Sequence, residues 1–207
     1  GVAAAQGEEI QAMEAGREIF FALSAFAVGI AVIILTQDTI IGERQAGIAE
    51  WVLSKPVSRS AYVLAKLAAH TLGVLVTLIA LPGFAAYGLF SIKLGHPLAI
   101  QPHLLGMAVL VVHTLFYITL NILMGVVAET RSALLGASLG TLFAGMILPD
   151  FIGKAVLITP WALPNLTVAA ASTGTIPAPM GWPVAVTVLL TVAALGASLW
   201  FFEWADL

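Results

Sequence analysis

The sequence predicts an all-α fold, a polytopic bundle of membrane-spanning helices. Of the 207 residues 60% are hydrophobic and only 9% charged, more apolar surface than one soluble core of this size absorbs. The apolar residues gather into five long runs with few charges, each able to cross a hydrocarbon layer of roughly 30 Å as a helix. Nor is there the alternation of apolar and polar residues that a membrane β-barrel requires. The net charge of −3 is small and dispersed, which leaves no basic footprint for nucleic acid. Without cysteine there is no disulfide, no thiolate metal site and no cysteine nucleophile.

The elements follow in order along a single transmembrane domain, residues 1–207. The opening "GVAAAQGEEIQAMEAGREIF" is acidic where a signal peptide is basic, and it begins with Gly1 rather than methionine. The spans fall at about residues 19–36, 67–90, 104–128, 133–148 and 184–202. Pro82-Gly83 predicts a kink in the second, because proline removes a backbone bond and glycine adds freedom. Residues 37–66 form a polar connection, and residues 149–183 are too apolar for a free loop yet too rich in proline for a span. Short helices dipping back against the bundle at the outer leaflet reconcile the two.

Orientation follows from the basic residues of the connections. Arg44, Lys55, Arg59, Lys66 and Arg131 fall on one side, and Arg17, Lys93 and Lys154 on the other. The 37–66 loop and the tail "FFEWADL" are therefore expected inside, and the first nineteen residues outside. An outside start without an export signal suggests that a first span is missing, the complete form having six. Trp161 and Trp182 suit the outer interface, Trp200 and Trp204 the inner one.

The loop segment "GERQAGIAEWVLSKPVSRSAYVLAKL", Gly42–Leu67, holds four of the eight basic residues. Its first part alternates charged and apolar residues at helical spacing. Ile41, Ile48, Trp51 and Val52 can share one face, with Glu43, Arg44, Gln45 and Glu50 elsewhere. Pro56 ends that helix, and Ser58 or Ser60 caps the next. Such a helix either lies on the membrane with its basic residues toward lipid phosphates or presses on a partner.

The order of residues resembles the cytoplasmic loop of type-2 ABC transporter permeases. The matching positions are Asp38, Gly42, Glu43, Arg44 and Gly47, then Leu53, Ser54, Pro56, Val57, Ser58, Arg59 and Lys66. Ile48-Ala49 departs from the Gly-Thr often found in that family. The resemblance implies that this helix is a coupling helix seated in a groove of a cytoplasmic ATPase subunit. It assigns coupling to Glu43, Arg44, Gly47, Glu50, Trp51 and Ser54, and the turn into the next span to Pro56, Ser58 and Arg59. It also implies two permease subunits, as a homo- or heterodimer, on two ATPase subunits in a prokaryotic cytoplasmic membrane. No Walker A pattern occurs here, so ATP and Mg²⁺ are expected on the partner and no cofactor on this chain.

Within the membrane, His113, Tyr117 and Asn121 form one stripe at i, i+4 and i+8. The stripe reads either as lining of a translocation path or as interhelical hydrogen bonding. His70 and His113 differ in depth by roughly 15 Å, which excludes a shared heme within one subunit. Ser132, Gly136, Gly140 and Ala144 form a small-residue row that permits close helix approach, in one bundle or across a dimer. No catalytic motif and no metal-ligand set is present. The expected function is therefore an ATP-driven permease subunit, not itself an enzyme. The alternatives are a scaffold subunit anchoring another membrane complex, or a secondary carrier, which would ordinarily need intramembrane carboxylates.

Overall fold

The structure is a computed structural model that describes residues 2–205, with side chains from Ile10 onward except Met180. Gly1, Asp206 and Leu207 lie outside the described residues, and with them the extreme start and the Asp-Leu end of the tail. All regular structure among the described residues is helical. The helices are α1 (Val2–Thr36), α2 (Ile41–Gln45), α3 (Ile48–Leu53), α4 (Arg59–Val74), α5 (Leu81–Leu94) and α6 (Ile100–Val127). They continue as α7 (Arg131–Ile147), α8 (Pro149–Ile152), α9 (Leu163–Thr173) and α10 (Gly181–Glu203). Four helical runs are long and apolar enough to cross a membrane: Ile10–Gln45, Arg59–Leu94, Ile100–Val127 and Gly181–Glu203. A fifth is α7 with its continuation to Ile158, bent by 53°. The chain is thus an all-α polytopic membrane bundle.

Helix α6 is the centre. In its most apolar stretch 67% of residues are buried, against 11% in α10 and 22% in the Arg59–Leu94 run. It packs on α1, α4, α7, α9 and α10, while α10 and α5 turn Leu189, Val192, Leu81 and Leu89 outward. Lipid is as apolar as leucine, so these helices are held by close packing and hydrogen bonds rather than by transfer from water. Gly106 shows how close that packing is. A Cβ there would lie 2.7 Å from the Cβ of Ala171 on α9 and 2.9 Å from the Phe21 ring on α1. Gly106→Ala should therefore cost about 1–3 kcal/mol in overpacking, read as a fall in melting temperature in detergent. Gly73→Ala, where a Cβ meets open space, should show no such loss.

Local sequence explains most boundaries. The Ser58 hydroxyl accepts from Ala61 N at 3.1 Å and caps α4, so of the two expected serines Ser58 is the cap. Thr130 caps α7 in the same way, accepting from Ala133 N at 3.2 Å. The kink expected at Pro82-Gly83 takes the form of a π-helical stretch, Leu75–Ala80, just before Pro82. Widening the turn there accommodates a proline that offers no N–H and crowds the preceding carbonyls. After α7, Pro149 opens α8. Two 3₁₀ segments, Gly153–Ile158 and Pro160–Ala162, then lead into α9, which buries Leu163, Leu166, Ala170 and Ala171 against the bundle.

One expectation needs correction, and the structure adds detail to two others. Helix α1 runs 35 residues back to Val2, so the apolar run at 19–36 is only its second half. Residues 41–53 are not one surface helix. Gly47 adopts φ 70°, a left-handed conformation that glycine takes without steric cost, and it separates α2 from α3. Ile41 and Trp51 consequently do not share a face: Ile41 is buried and Trp51 is 66% exposed. Trp161 is half-buried against α7, its indole N–H donating to Thr141 O at 3.0 Å.

Candidate functional site

The polar loop between α1 and α4 is built from two kinds of residue. The first kind is clamped inward. Glu43 on α2 receives the Tyr62 hydroxyl at 2.5 Å and an ion pair from Lys66, both from α4. Tyr62 and Lys66 stand one helical turn apart and so reach the same carboxylate from one face. Arg44 turns the other way and donates from Nη1 to Val126 O at 2.6 Å, at the C-terminal end of α6. Arg59 donates from Nη1 to the carbonyls of Phe202, Glu203 and Ala205 at 3.0, 3.2 and 2.6 Å. Helices α6 and α10 carry no basic residue in their last turns. Arg44 and Arg59 therefore supply from the loop the positive charge and donors that helix C-termini favour.

Further contacts draw the loop against the bundle. Thr39 Oγ1 is hydrogen-bonded to His70 Nε2 at 2.8 Å. Arg131 pairs with Asp38 at 3.0 Å and donates to Gln37 Oε1 at 3.0 Å, bringing the start of α7 to the end of α1. The Tyr62 ring stacks on Phe202 at 5.4 Å and 9°, a second link from α4 to α10. The loop thus ties together the ends of α1, α4, α6, α7 and α10.

The second kind of residue faces outward. Trp51 is 66% exposed and Ile48 46% exposed, beside exposed Glu50, Ser54, Lys55 and Pro56. Lys55 Nζ sits 5.4 Å over the Trp51 ring, and the Ser54 hydroxyl donates to Trp51 O at 2.7 Å. Ala49 is fully buried beneath them and anchors α3. The result is a compact projection, aromatic at its tip and flanked by one acid and one base.

Of the nine residues singled out in this loop by sequence, Glu43, Arg44 and Arg59 are internal clamps, Gly47 is the bend, and Ser58 is a cap. Glu50, Trp51, Ser54 and Pro56 form the outward surface. Sequence reasoning missed Tyr62, Lys66 and Thr39–His70 as partners. The i, i+4 spacing of Tyr62 and Lys66 was the available signal for the first two.

The intramembrane stripe also divides. Asn121 donates from Nδ2 to Ile33 O at 2.9 Å and Thr36 Oγ1 at 2.8 Å, and so joins α6 to α1. Asn121→Leu should cost about 1 kcal/mol, in line with interhelical hydrogen bonds in membranes, read by thermal melting in detergent. His113 and Tyr117 instead line a cavity of about 270 Å³ between α1, α6, α7 and α9. Most of the small-residue row of α7 faces away from the described residues, Ala144 alone being half-buried. Ser132, Gly136 and Gly140 are exposed, and a Cβ on either glycine would meet no atom within 4 Å. Among the described residues no group of His, Asp or Glu is arranged to hold a metal ion.

A bundle of this build, with a polar loop clamping five helix ends beneath an exposed aromatic tip, defines a multi-pass membrane protein. The family model for the ABC-2 family transporter protein matches residues 2–207, and the chain belongs to that family. It is accordingly a membrane component of an ABC transport system. No curated protein shows significant similarity to it.

Proposed function

We propose that the chain is the permease subunit of an ATP-driven transporter in a prokaryotic cytoplasmic membrane. In this reading the loop at residues 37–66 lies in the cytoplasm. The exposed face of α3, with Trp51 at its centre and Ile48, Glu50, Ser54 and Lys55 around it, seats in a separate ATPase subunit. ATP and Mg²⁺ are bound and turned over on that partner. The observation that carries the reading is the division of labour in the loop. An aromatic tip is left exposed while Glu43, Arg44 and Arg59 are committed to α4, α6 and α10. Glu43 and Arg44 tie α2 to α4 and α6, and Arg59 ties α4 to α10, so a displacement of the loop as a unit acts on three long helices at once, and large aromatic residues ringed by polar ones are what interface centres are made of.

A second permease subunit completes the assembly. The outward row of Ser132, Gly136 and Gly140 on α7 supports this, since small residues let helix backbones approach closely in lipid. Purification of the wild-type protein from native membranes in mild detergent tests the reading. An ATP-hydrolysing subunit is expected to accompany it. An intact, membrane-inserted chain that brings no such subunit contradicts the reading and favours a scaffold role.

A further inference from the structure

The cavity lined by His113 and Tyr117 lies toward the opposite end of α6 from the loop, opens at an exposed mouth and is lined by a single subunit. Its walls are held in place. The Trp161 indole is fixed by its bond to Thr141 O at 3.0 Å. It lies so close on α7 that a Cβ at Gly145 would come within 2.6 Å of it, so the wall forms only with glycine there. Phe26 meets Phe143 edge-on at 5.9 Å. Tyr117 is held between His113 and Phe116, with ring centroids 5.0 and 5.1 Å away. A cavity whose walls do not need to reorganise loses little affinity to ordering a ligand.

Its chemistry is selective. Three aromatic rings, of Phe26, Tyr117 and Trp161, contribute to the lining, and the one formally charged group in it is the carboxylate of Asp150 at the exposed mouth. No lysine or arginine lines it. Aromatic faces attract cations through their quadrupoles, and Asp150 adds a full negative charge. His113 is 1% exposed, and neither ring nitrogen has a hydrogen-bond partner among the described residues. The Ala25 carbonyl approaches the ring without meeting hydrogen-bond geometry.

We infer that this cavity is a binding site for a small organic cation, an ammonium group on an aromatic or aliphatic body. The ammonium sits between Asp150 and the aromatic walls, with its body toward His113 and Leu142. At about 270 Å³ the space suits a single-ring amine. A phospholipid headgroup fits less well, because its phosphate would find no basic side chain in the lining. The inference rests on the cavity alone and does not depend on coupling to an ATPase.

The test is equilibrium dialysis of the full chain in nanodiscs of zwitterionic lipid, with empty nanodiscs as the blank. Labelled phenethylammonium is compared with phenethyl alcohol, which has the same shape without the charge. Phenethylammonium should bind saturably and roughly tenfold more tightly than the alcohol. Asp150→Asn, an exposed position whose change leaves the fold intact, should remove that preference. Met146→Trp, which narrows the mouth from its exposed side, should weaken both ligands. Uptake no greater than by empty nanodiscs, equal binding of amine and alcohol, or a preference unchanged in Asp150→Asn would each overturn the inference. Phosphatidylethanolamine retained in place of the amine would overturn it too.

Discussion

Trp51→Glu is expected to reduce recovery of the ATPase subunit by at least roughly tenfold while leaving the isolated permease almost as stable as before. The two halves of this expectation come from different features. Trp51 is 66% exposed and Ile48 beside it 46%, so in the isolated chain the indole contributes little to folding. Surface substitutions of this kind shift stability by no more than about 0.5 kcal/mol. In the assembly, by contrast, the indole would be the anchor of the contact, and anchors of this type cost about 2 kcal/mol or more when removed. Glutamate also brings a second acid beside Glu50 and removes the ring over which Lys55 sits. Pull-down from native membranes and a thermal melt of the purified chain check the two halves separately.

Glu43→Ala is expected to act in the opposite pattern. It removes the acceptor of the Tyr62 hydroxyl and the counter-ion of Lys66. With side chains about a quarter exposed, at 27% and 25%, solvent screens part of the loss, and a cost of about 1–3 kcal/mol follows. Lys66→Met should cost less, because it leaves Glu43 both accessible to water and still bonded to Tyr62. The double variant should then be more stable than the sum of the two single losses predicts, by about 1 kcal/mol. Thermal melting in detergent gives all three values. A strictly additive pair would mean that the two charges do not act on each other. Because Glu43 faces inward, its replacement should weaken ATPase recovery only as far as it loosens α2 and α3, and less than Trp51→Glu does.

The spans were legible because lipid imposes a simple demand, a long apolar helix, and the runs Arg59–Leu94, Ile100–Val127 and Gly181–Glu203 are long and apolar enough to meet it. The reach of α1 to Val2 was not, because hydropathy reports where a helix is apolar rather than where it ends. The small-residue row of α7 could be seen in the sequence, but its outward direction depends on how α7 packs against α6 and α1.

At the candidate site, the loop's order of residues carried its family, but helical spacing placed Ile41 and Trp51 on one face. Only the backbone of Gly47 separates them. The roles of Glu43, Arg44 and Arg59 were hidden for another reason. Arg44 meets carbonyls 81 and 82 residues away and Arg59 carbonyls 143 to 146 residues away, and no local pattern encodes such partners. The cavity was least legible of all, since Phe26, His113, Asp150 and Trp161 come from separate elements that only the fold assembles.

The central claim, that the exposed face of α3 meets an ATPase subunit, is tested most directly by cross-linking. The chain has no cysteine, so Glu50→Cys places a unique reactive thiol on that face. Lys93→Cys, near the far end of α5, serves as the control. A short thiol-to-amine cross-linker in native membranes should join the Glu50→Cys protein to an ATP-binding subunit and leave the Lys93→Cys protein unjoined to it. An ATP-binding subunit joined to neither, with both thiols shown to react with a soluble maleimide, would contradict the account.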